Sequence, residues 1–227
     1  MRRVFVAFIV RGVIMFGEAI AGIALDSHTE SAPYTPSEFR IKWTTLDWEA
    51  DEAFKLRRAV FCIEQGIFVG DDRDEIDRHA QQLVAVSCLA GMPEQVVGTV
   101  RIHRDHDDVW FGSRLAVHAA FRRHGKIGAT LIRLAVSSAH ALGCDTFLAH
   151  VQSQHVPLFR AMHWDVLAEE TLLGRPHHLM QAQLDWYAPC VTPYGGFVTR
   201  TPAASPKREA DSEAGSQAAS ASARSAP

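Results

Sequence analysis

Phe121-Arg122-Arg123-His124-Gly125-Lys126-Ile127-Gly128-Ala129-Thr130-Leu131-Ile132 joins a β-like run, Val109 to Val117, to a strongly amphipathic segment. Ile127, Leu131, Leu134, Ala135, Ser138 and Leu142 share one helical face, and Gly143 stops the helix. A strand that feeds a basic, glycine-containing turn and then a helix N-terminus makes an anion site. The first-turn amides have no intrahelical acceptor, and the helix dipole places roughly half a positive charge there. Arg122, Arg123 and Lys126 add full charges. The ligand this predicts is a phosphate or pyrophosphate, and hence a nucleotide-like cofactor.

Working outward, the chain alternates strands and helices. Phe39–Trp43 alternates apolar and polar residues as a strand does, and Asp47 is expected to cap a helix from Trp48 to about Gln65, with Ala53, Leu56, Val60 and Ile63 on its inner face. Asp71–His79 reads as a charged loop or short helix. Leu83–Val86 and Val96–Ile102 read as strands across a turn at Gly91-Met92-Pro93. Thr146–Val151 is a strand and Val156–Met162 a short helix. Val166–Leu173 and His178–Leu184 form a hairpin across Gly174-Arg175-Pro176. The order β-α-(α)-β-β-β-α-β-α-β-β predicts an α/β mixed sheet.

The 227 residues allow one ordinary domain plus tails, and a 47% hydrophobic content suffices for a core. A formal net charge of -3 argues against a general nucleic-acid binder, so the cations at 122–126 are a local feature. Cys62, Cys88, Cys144 and Cys190 form no C-x-x-C pair, which favours reduced thiols and a cytoplasmic setting over disulfides or zinc. Val4–Val10 behind Arg2-Arg3 imitates a signal segment. Arg11 and Glu18 interrupt it, no clean cleavage site follows, and stable membrane association is not expected. An upstream-placed start or a dispensable extension accounts for it better. Residues 1–37 are therefore read as extension and linker and 38–198 as the folded domain. Residues 199–227, mostly Ala, Ser and Pro, read as a disordered tail.

The strand–turn–helix unit after the fourth strand resembles that of the GCN5-related N-acetyltransferases (GNAT superfamily), over most of 39–185. In that family an R/Q-x-x-G-x-G/A loop holds the pyrophosphate of acetyl-CoA on backbone amides. Here Arg123 and Gly128 match it, and Lys126 stands where the first glycine is expected. Leu56-Arg57-Arg58-x-Val60-Phe61-x-x-Glu64-Gln65-Gly66 with Asp72, Asp74 and Asp77 resembles one subgroup, and acyl-homoserine-lactone synthases carry a looser version. Further blocks, Ala149-His150-Val151-Gln152-x-Gln154, Leu158-Phe159-x-x-Met162-His163-Trp164 and Gly174-Arg175-Pro176-His177-His178-x-Met180, resemble acetyltransferases of nitrilase and nitrogen-starvation gene clusters.

The resemblance implies a GNAT-type, mostly antiparallel sheet flanked by helices. It also implies an acyltransferase of groups other than aminoacyl, moving acetyl directly from acetyl-CoA to an amine, expected to be that of a small metabolite. The cofactor-side residues it implies are Leu115, Ala116, Val117, Arg122, Arg123, His124, Gly125, Lys126, Gly128, Ala129 and His155. An alkylamine must lose a proton at a cost of about 3.4 pK units, roughly 4.6 kcal/mol at pH 7, and the thioester carbonyl needs a donor. The tyrosine that many relatives place on the helix after the fifth strand is Phe159 here, and a frequent carboxylate on the fourth strand falls near Phe111. Glu64 and His150 are the replacement candidates. Glu64 also reads as a salt-bridged helix end and His150 as a satisfied buried histidine. Asp72, Asp74 and Asp77 read either as a solvated acidic loop or as an attractor for a cationic substrate.

Cys62 as a covalent nucleophile has no evident activator. His177 and His178 fall on opposite faces of a strand, and no metal is expected. Two other readings stay open: an acyl-homoserine-lactone-synthase-like enzyme using acyl-carrier protein and S-adenosylmethionine, suggested by Arg57, Phe61, Asp74 and Asp77; and a silent CoA-binding regulatory module, suggested by Phe111 and Phe159.

Overall fold

The computed structural model describes Pro36, residues 38–124 and residues 126–200. The expectations for residues 1–35, for Gly125 and for the tail from 201 onward lie outside the described residues. Eight strands form one sheet: β1 (Glu38–Trp43), β2 (Gln81–Leu89), β3 (Met92–His106), β4 (Val109–Val117), β5 (Thr146–Gln152), β6 (Trp164–Leu172), β7 (Arg175–Ala182) and β8 (Phe197–Arg200). Their order is β6-β7-β5-β4-β3-β2-β1-β8. Every neighbouring pair is antiparallel except β4 and β5, whose parallel pairing requires the crossover helix between them. The helices are α1 (Asp47–Arg57), α2 (Ile127–Ala141) and α3 (Val156–Ala161). Among the described residues no helix is long and apolar enough to cross a membrane.

The larger core lies between the sheet and α2, where Ile127, Leu131, Leu134 and Ala135 meet Phe39, Ile41, Leu83 and Val100. Gly98 allows that contact. A Cβ there would stand 2.9 Å from Leu131 Cδ1 and 3.0 Å from Ile127 Cγ2, so α2 sits directly on β3. A smaller core under α1 joins Ala53, Leu56, Val60 and Phe61 to Val84, Val86, Val96 and Ala116.

Several expectations need correction. Leu46, not Asp47, precedes the first turn of α1 and offers no side-chain cap. Glu49 does that work: its Oε2 accepts from the Thr45 and Leu46 amides at 2.9 and 3.2 Å and from Lys42 Nζ at 2.7 Å. Burial alone would raise its carboxyl, but these partners outweigh it and hold the pKa below the ordinary value. The helix does not run on to Gln65 as α-helix. Residues Arg58–Glu64 form a π-helical turn, with Gln65 N donating to Val60 O at 2.9 Å. An i→i+5 turn holds more residues per revolution, which rotates Ile63 off the inner face and leaves it 75% exposed.

The two hairpin turns expected from sequence are the two-residue kind, Ala90-Gly91 and Leu173-Gly174, with positive φ at both positions. Met92, Pro93, Arg175 and Pro176 belong instead to the strands that follow. The sheet also gains β8, which pairs with β1 and takes in Thr199 and Arg200, two residues that composition had placed in the tail.

Candidate active site

Parallel pairing of β4 with β5 covers three positions only: Val109 with Thr146, Trp110 with Phe147, and Phe111 with Leu148. Both strands continue, β4 to Val117 and β5 to Gln152, without further pairing to each other. The strands separate there into a V-shaped cleft, and Leu115, Ala116 and Val117 lie along its β4 wall. A bulge just past the parting point contributes. Arg101 pairs with Ser113 and Thr99 with Ala116, so Arg114 and Leu115 stand opposite one residue of β3. Arg114 carries φ +56°, a left-handed conformation that costs a branched-out L-residue about 1–2 kcal/mol.

Arg114 is held there by ion pairs. Its Nε lies 2.9 Å from Asp72 Oδ2 and one terminal nitrogen 3.1 Å from Asp74 Oδ2, with the guanidinium over the Phe68 ring at 4.5 Å. The same carboxylates belong to a larger network. Arg57 binds Asp72 at 2.8 Å and both oxygens of Asp77 at 2.6 and 2.9 Å. Arg101 binds Asp74 at 2.5 and 2.8 Å, Asp77 at 2.8 Å and Ser113 Oγ at 2.9 Å. Three cations thus meet three anions, with Arg57, Asp72 and Arg101 almost wholly buried. The acidic run is neither a solvated loop nor an attractor for a cationic substrate. Its charges are neutralised by partners from α1, β3 and β4, and it clamps the bulge.

At the cleft mouth, Phe121 anchors the basic turn in the core, edge-on to Phe39 and against His118 and His124. His118 Nδ1 accepts from Ala120 N at 3.3 Å and shapes the entry to the turn. Lys126 precedes α2 with φ +52°, the conformation glycine adopts most easily, and no side chain caps the first turn. The family's glycine position is therefore glycine-like in backbone though lysine in identity. Gly128 is part-buried, and a Cβ there would make only an ordinary contact with Val117 Cγ2 at 3.7 Å. Arg123 and Lys126 are exposed and have no ion-pair partner among the described residues.

Arg122 is placed differently. Its Nε donates to Val117 O at 3.0 Å, and its terminal nitrogens bind both oxygens of Glu64 at 2.7 and 2.6 Å. Two residues predicted for separate roles are thus each other's partner across the cleft, brought together by the π turn. The hydrogen bonds from Arg122 hold the Glu64 carboxyl below its usual range, against a smaller opposing effect of desolvation. In this arrangement Glu64 is a poor proton acceptor. His155, which precedes α3, is exposed, and desolvation followed by the charge of Arg122 holds its imidazole below the ordinary pKa. Ala129 lines a cavity of about 300 Å³ on the outer side of α2, with Lys126, Thr130, Arg133, His163 and Trp186. The His163 and Trp186 rings stack there at 3.7 Å.

Beyond the parting point, His150 of β5 lies stacked on Phe111 of β4, centroids 5.9 Å apart, and Phe111 in turn on His103 of β3. His150 is partly exposed, so it is not a satisfied core histidine. Phe159 packs edge-on against Trp164 in the core and has no acid–base capacity. Desolvation, then Asp72 and Asp71, raise the Cys62 thiol above its ordinary pKa, the reverse of what a covalent nucleophile needs. Among the described residues no group of three or more metal-ligating side chains comes together. Sequence reasoning missed Glu170, whose Oε2 lies 3.3 Å from His150 Nδ1, and Arg101 and Arg114, which hold the bulge; no local motif marks them.

The chain matches the profile of the Acetyltransferase (GNAT) family over residues 38–164. It is 28% identical over 147 residues to BSU40680, a Bacillus subtilis (strain 168) protein assigned as an acetyltransferase, covering 64% of this chain and 97% of that one. It is 27% identical over 128 residues to the uncharacterised N-acetyltransferase YjcF of the same organism, covering 56% and 86%. Among solved structures it resembles a protein assigned as an N-acetyltransferase from Lactobacillus plantarum (TM-score 0.58, 23% identity, covering 64% and 98%). It also resembles an aminoglycoside 6'-N-acetyltransferase complexed with coenzyme A (TM-score 0.51, 13% identity, covering 62% and 94%), which shares the fold. With more than half its length in the family profile and the parted β4–β5 cleft beside a basic helix start, this chain belongs to the GNAT acetyltransferase family.

Proposed function

We propose that the protein transfers acetyl from acetyl-CoA directly to an amine, that of a small metabolite, in the cytoplasm. The observation that carries this reading is the parted β4–β5 cleft opening onto the uncapped N-terminus of α2, with Arg123 and Lys126 unpaired and Gly128 bare. First-turn amides and free cations suit a pyrophosphate. The cavity with Arg133, His163 and Trp186 suits the nucleoside end, and the β4 wall at Leu115–Val117 suits the extended arm. That coenzyme A accompanies a structural relative of this fold supports the same ligand.

When bound, acetyl-CoA supplies an activated thioester. Unpaired β4 backbone can donate to its carbonyl and orient it. His150 faces the same opening, and its neutral imidazole can accept the proton that the amine nitrogen loses as the new C–N bond forms and the C–S bond breaks. The sulfur leaves with the electron pair and takes up a proton, so the products are amide and free thiol. Glu64, freed from Arg122, can attract the ammonium form of the arriving amine, which gives one proton to solvent before the free amine attacks.

Isothermal titration with acetyl-CoA tests the reading. Wild type should bind at micromolar concentrations, and Gly128→Glu, which puts bulk and negative charge at the pyrophosphate position, should abolish binding. Equal affinity in the two contradicts the assignment. A silent CoA-binding module is the second reading, favoured by Phe111 and Phe159 in the places of the usual acid and base. Thiol release with any member of an amine panel removes it.

A further inference from the structure

His150 and Glu170 reach towards each other over β7. His150 stands on β5 opposite Leu179 of β7, and Glu170 stands on β6 opposite His177 of β7. Strand alternation puts all four side chains on the face that carries Phe111. His150 Nδ1 lies 3.3 Å from Glu170 Oε2, an ion-pair distance, and both side chains are partly exposed, 39% for His150 and 29% for Glu170. On its other side the imidazole lies nearly parallel to the Phe111 ring, with 15° between planes. Phe111 is the last residue of β4 paired to β5, so this imidazole sits two residues beyond the point where the cleft begins.

An imidazole between a carboxylate and an aromatic wall has one nitrogen turned towards the carboxylate and its plane set by the ring beside it. We propose that Glu170 is a positioning residue: it holds the proton of neutral His150 on Nδ1, leaving the Nε2 lone pair for the attacking amine. Phe111, which removes the usual carboxylate from β4, here serves as the surface that orients the substitute base. This rests on the acetyl-transfer reading above. The chemical reason is that a neutral imidazole has one basic nitrogen, and the partner of the other decides which one it is. Free rotation about the side chain would leave the base misaimed for part of the time, and the carboxylate removes that freedom.

The test uses the full chain and three variants, His150→Gln, Glu170→Ala and Glu170→Gln. Long-range 15N–1H correlation spectra at neutral pH report which imidazole nitrogen carries the proton, and need neither cofactor nor acceptor. Wild type should show His150 with Nδ1 protonated, Glu170→Ala should move the population to Nε2–H, and Glu170→Gln, whose amide oxygen can still accept, should restore Nδ1–H in part. With acetyl-CoA and the most active primary amine of a panel, His150→Gln should lower kcat about a hundred-fold or more. Glu170→Ala should lower it about ten-fold at near-constant KM, with partial recovery in Glu170→Gln. Wild type with the proton on Nε2, or Glu170→Ala with unchanged tautomer or unchanged kcat, overturns the proposal. Failure to bind acetyl-CoA by titration would strike the function assigned to the cleft, and the spectra would still uphold or reject the Glu170–His150 pairing.

Discussion

Two arginine-rich regions flank the cleft and have opposite fates. Below β4, Arg57, Arg101 and Arg114 are matched by Asp72, Asp74 and Asp77 and withdrawn from water. At the start of α2, Arg123 and Lys126 stand exposed with no such partner, on a turn whose backbone is left-handed at Lys126. Residue type alone does not separate them. The buried set has its carboxylates delivered by three elements and spends its charge on geometry, fixing the β4 bulge. The exposed set has amides and cations with nothing opposite, which is the condition for holding an anionic ligand. Arg122 lies between these cases, neutralised by Glu64 in a pair open enough to be exchanged.

The comparison breaks first at Asp77. Asp77→Asn takes away the anion that Arg57 and Arg101 share, leaving three arginines facing two carboxylates, and should cost about 3 kcal/mol because one buried positive charge is no longer balanced. For a domain of this size that is a drop in Tm of about 10 °C, read by thermal denaturation. Arg123→Ala combined with Lys126→Ala should instead leave Tm nearly unchanged and weaken acetyl-CoA binding by about ten-fold or more, with a flatter salt dependence, measured by titration. Arg122→Ala should weaken it less, since its charge is already matched. Equal effects of the two changes would erase the distinction drawn here.

Acid sharpens the same contrast. Asp74 is held below its ordinary pKa by the hydrogen bonds from Arg101, against desolvation. Asp77 experiences a larger desolvation that would raise it, yet Arg57 and Arg101 more than reverse that and hold it far below the carboxylate range. Groups depressed in the folded state bind protons more readily when unfolded. Their stabilisation is complete above a pH of about 4 and is lost as pH falls through the folded values. Chemical denaturation across that range should show stability declining on acidification, with a shallower slope in Asp77→Asn. The smallest effects belong to the turn. Lys126→Gly removes a left-handed L-residue and should raise stability by about 1 kcal/mol. Glu64→Gln, which breaks an exposed pair, should change it by less than about 1 kcal/mol. Both are read by denaturant midpoints.

Local pattern made the centre of the fold readable. Val109–Val117 and the helix from Ile127 are where the sequence places them, and the helix has a regular apolar face against one core as far as Ala139, whereas Leu142 lies past its end and is 53% exposed. Features set by partners far along the chain were not readable. The π turn arises at the join of α1 to the cleft and moves Ile63 outward. β8 is four residues long and is recognisable only by its pairing with β1. The three aspartates look like a solvent-facing run until Arg101 and Arg114 fold over them from 24 to 42 residues away by chain count. The basic turn was legible as exposed cations at a helix start, whereas the Arg122–Glu64 partnership, 58 residues apart, was not.

A crystal of the full chain grown with acetyl-CoA puts the central claim to its most direct trial. The account predicts the diphosphate on the first-turn amides of α2 beside Arg123 and Lys126, with the thioester entering between β4 and β5 next to His150. A diphosphate bound at any other surface, with that turn empty, would contradict it.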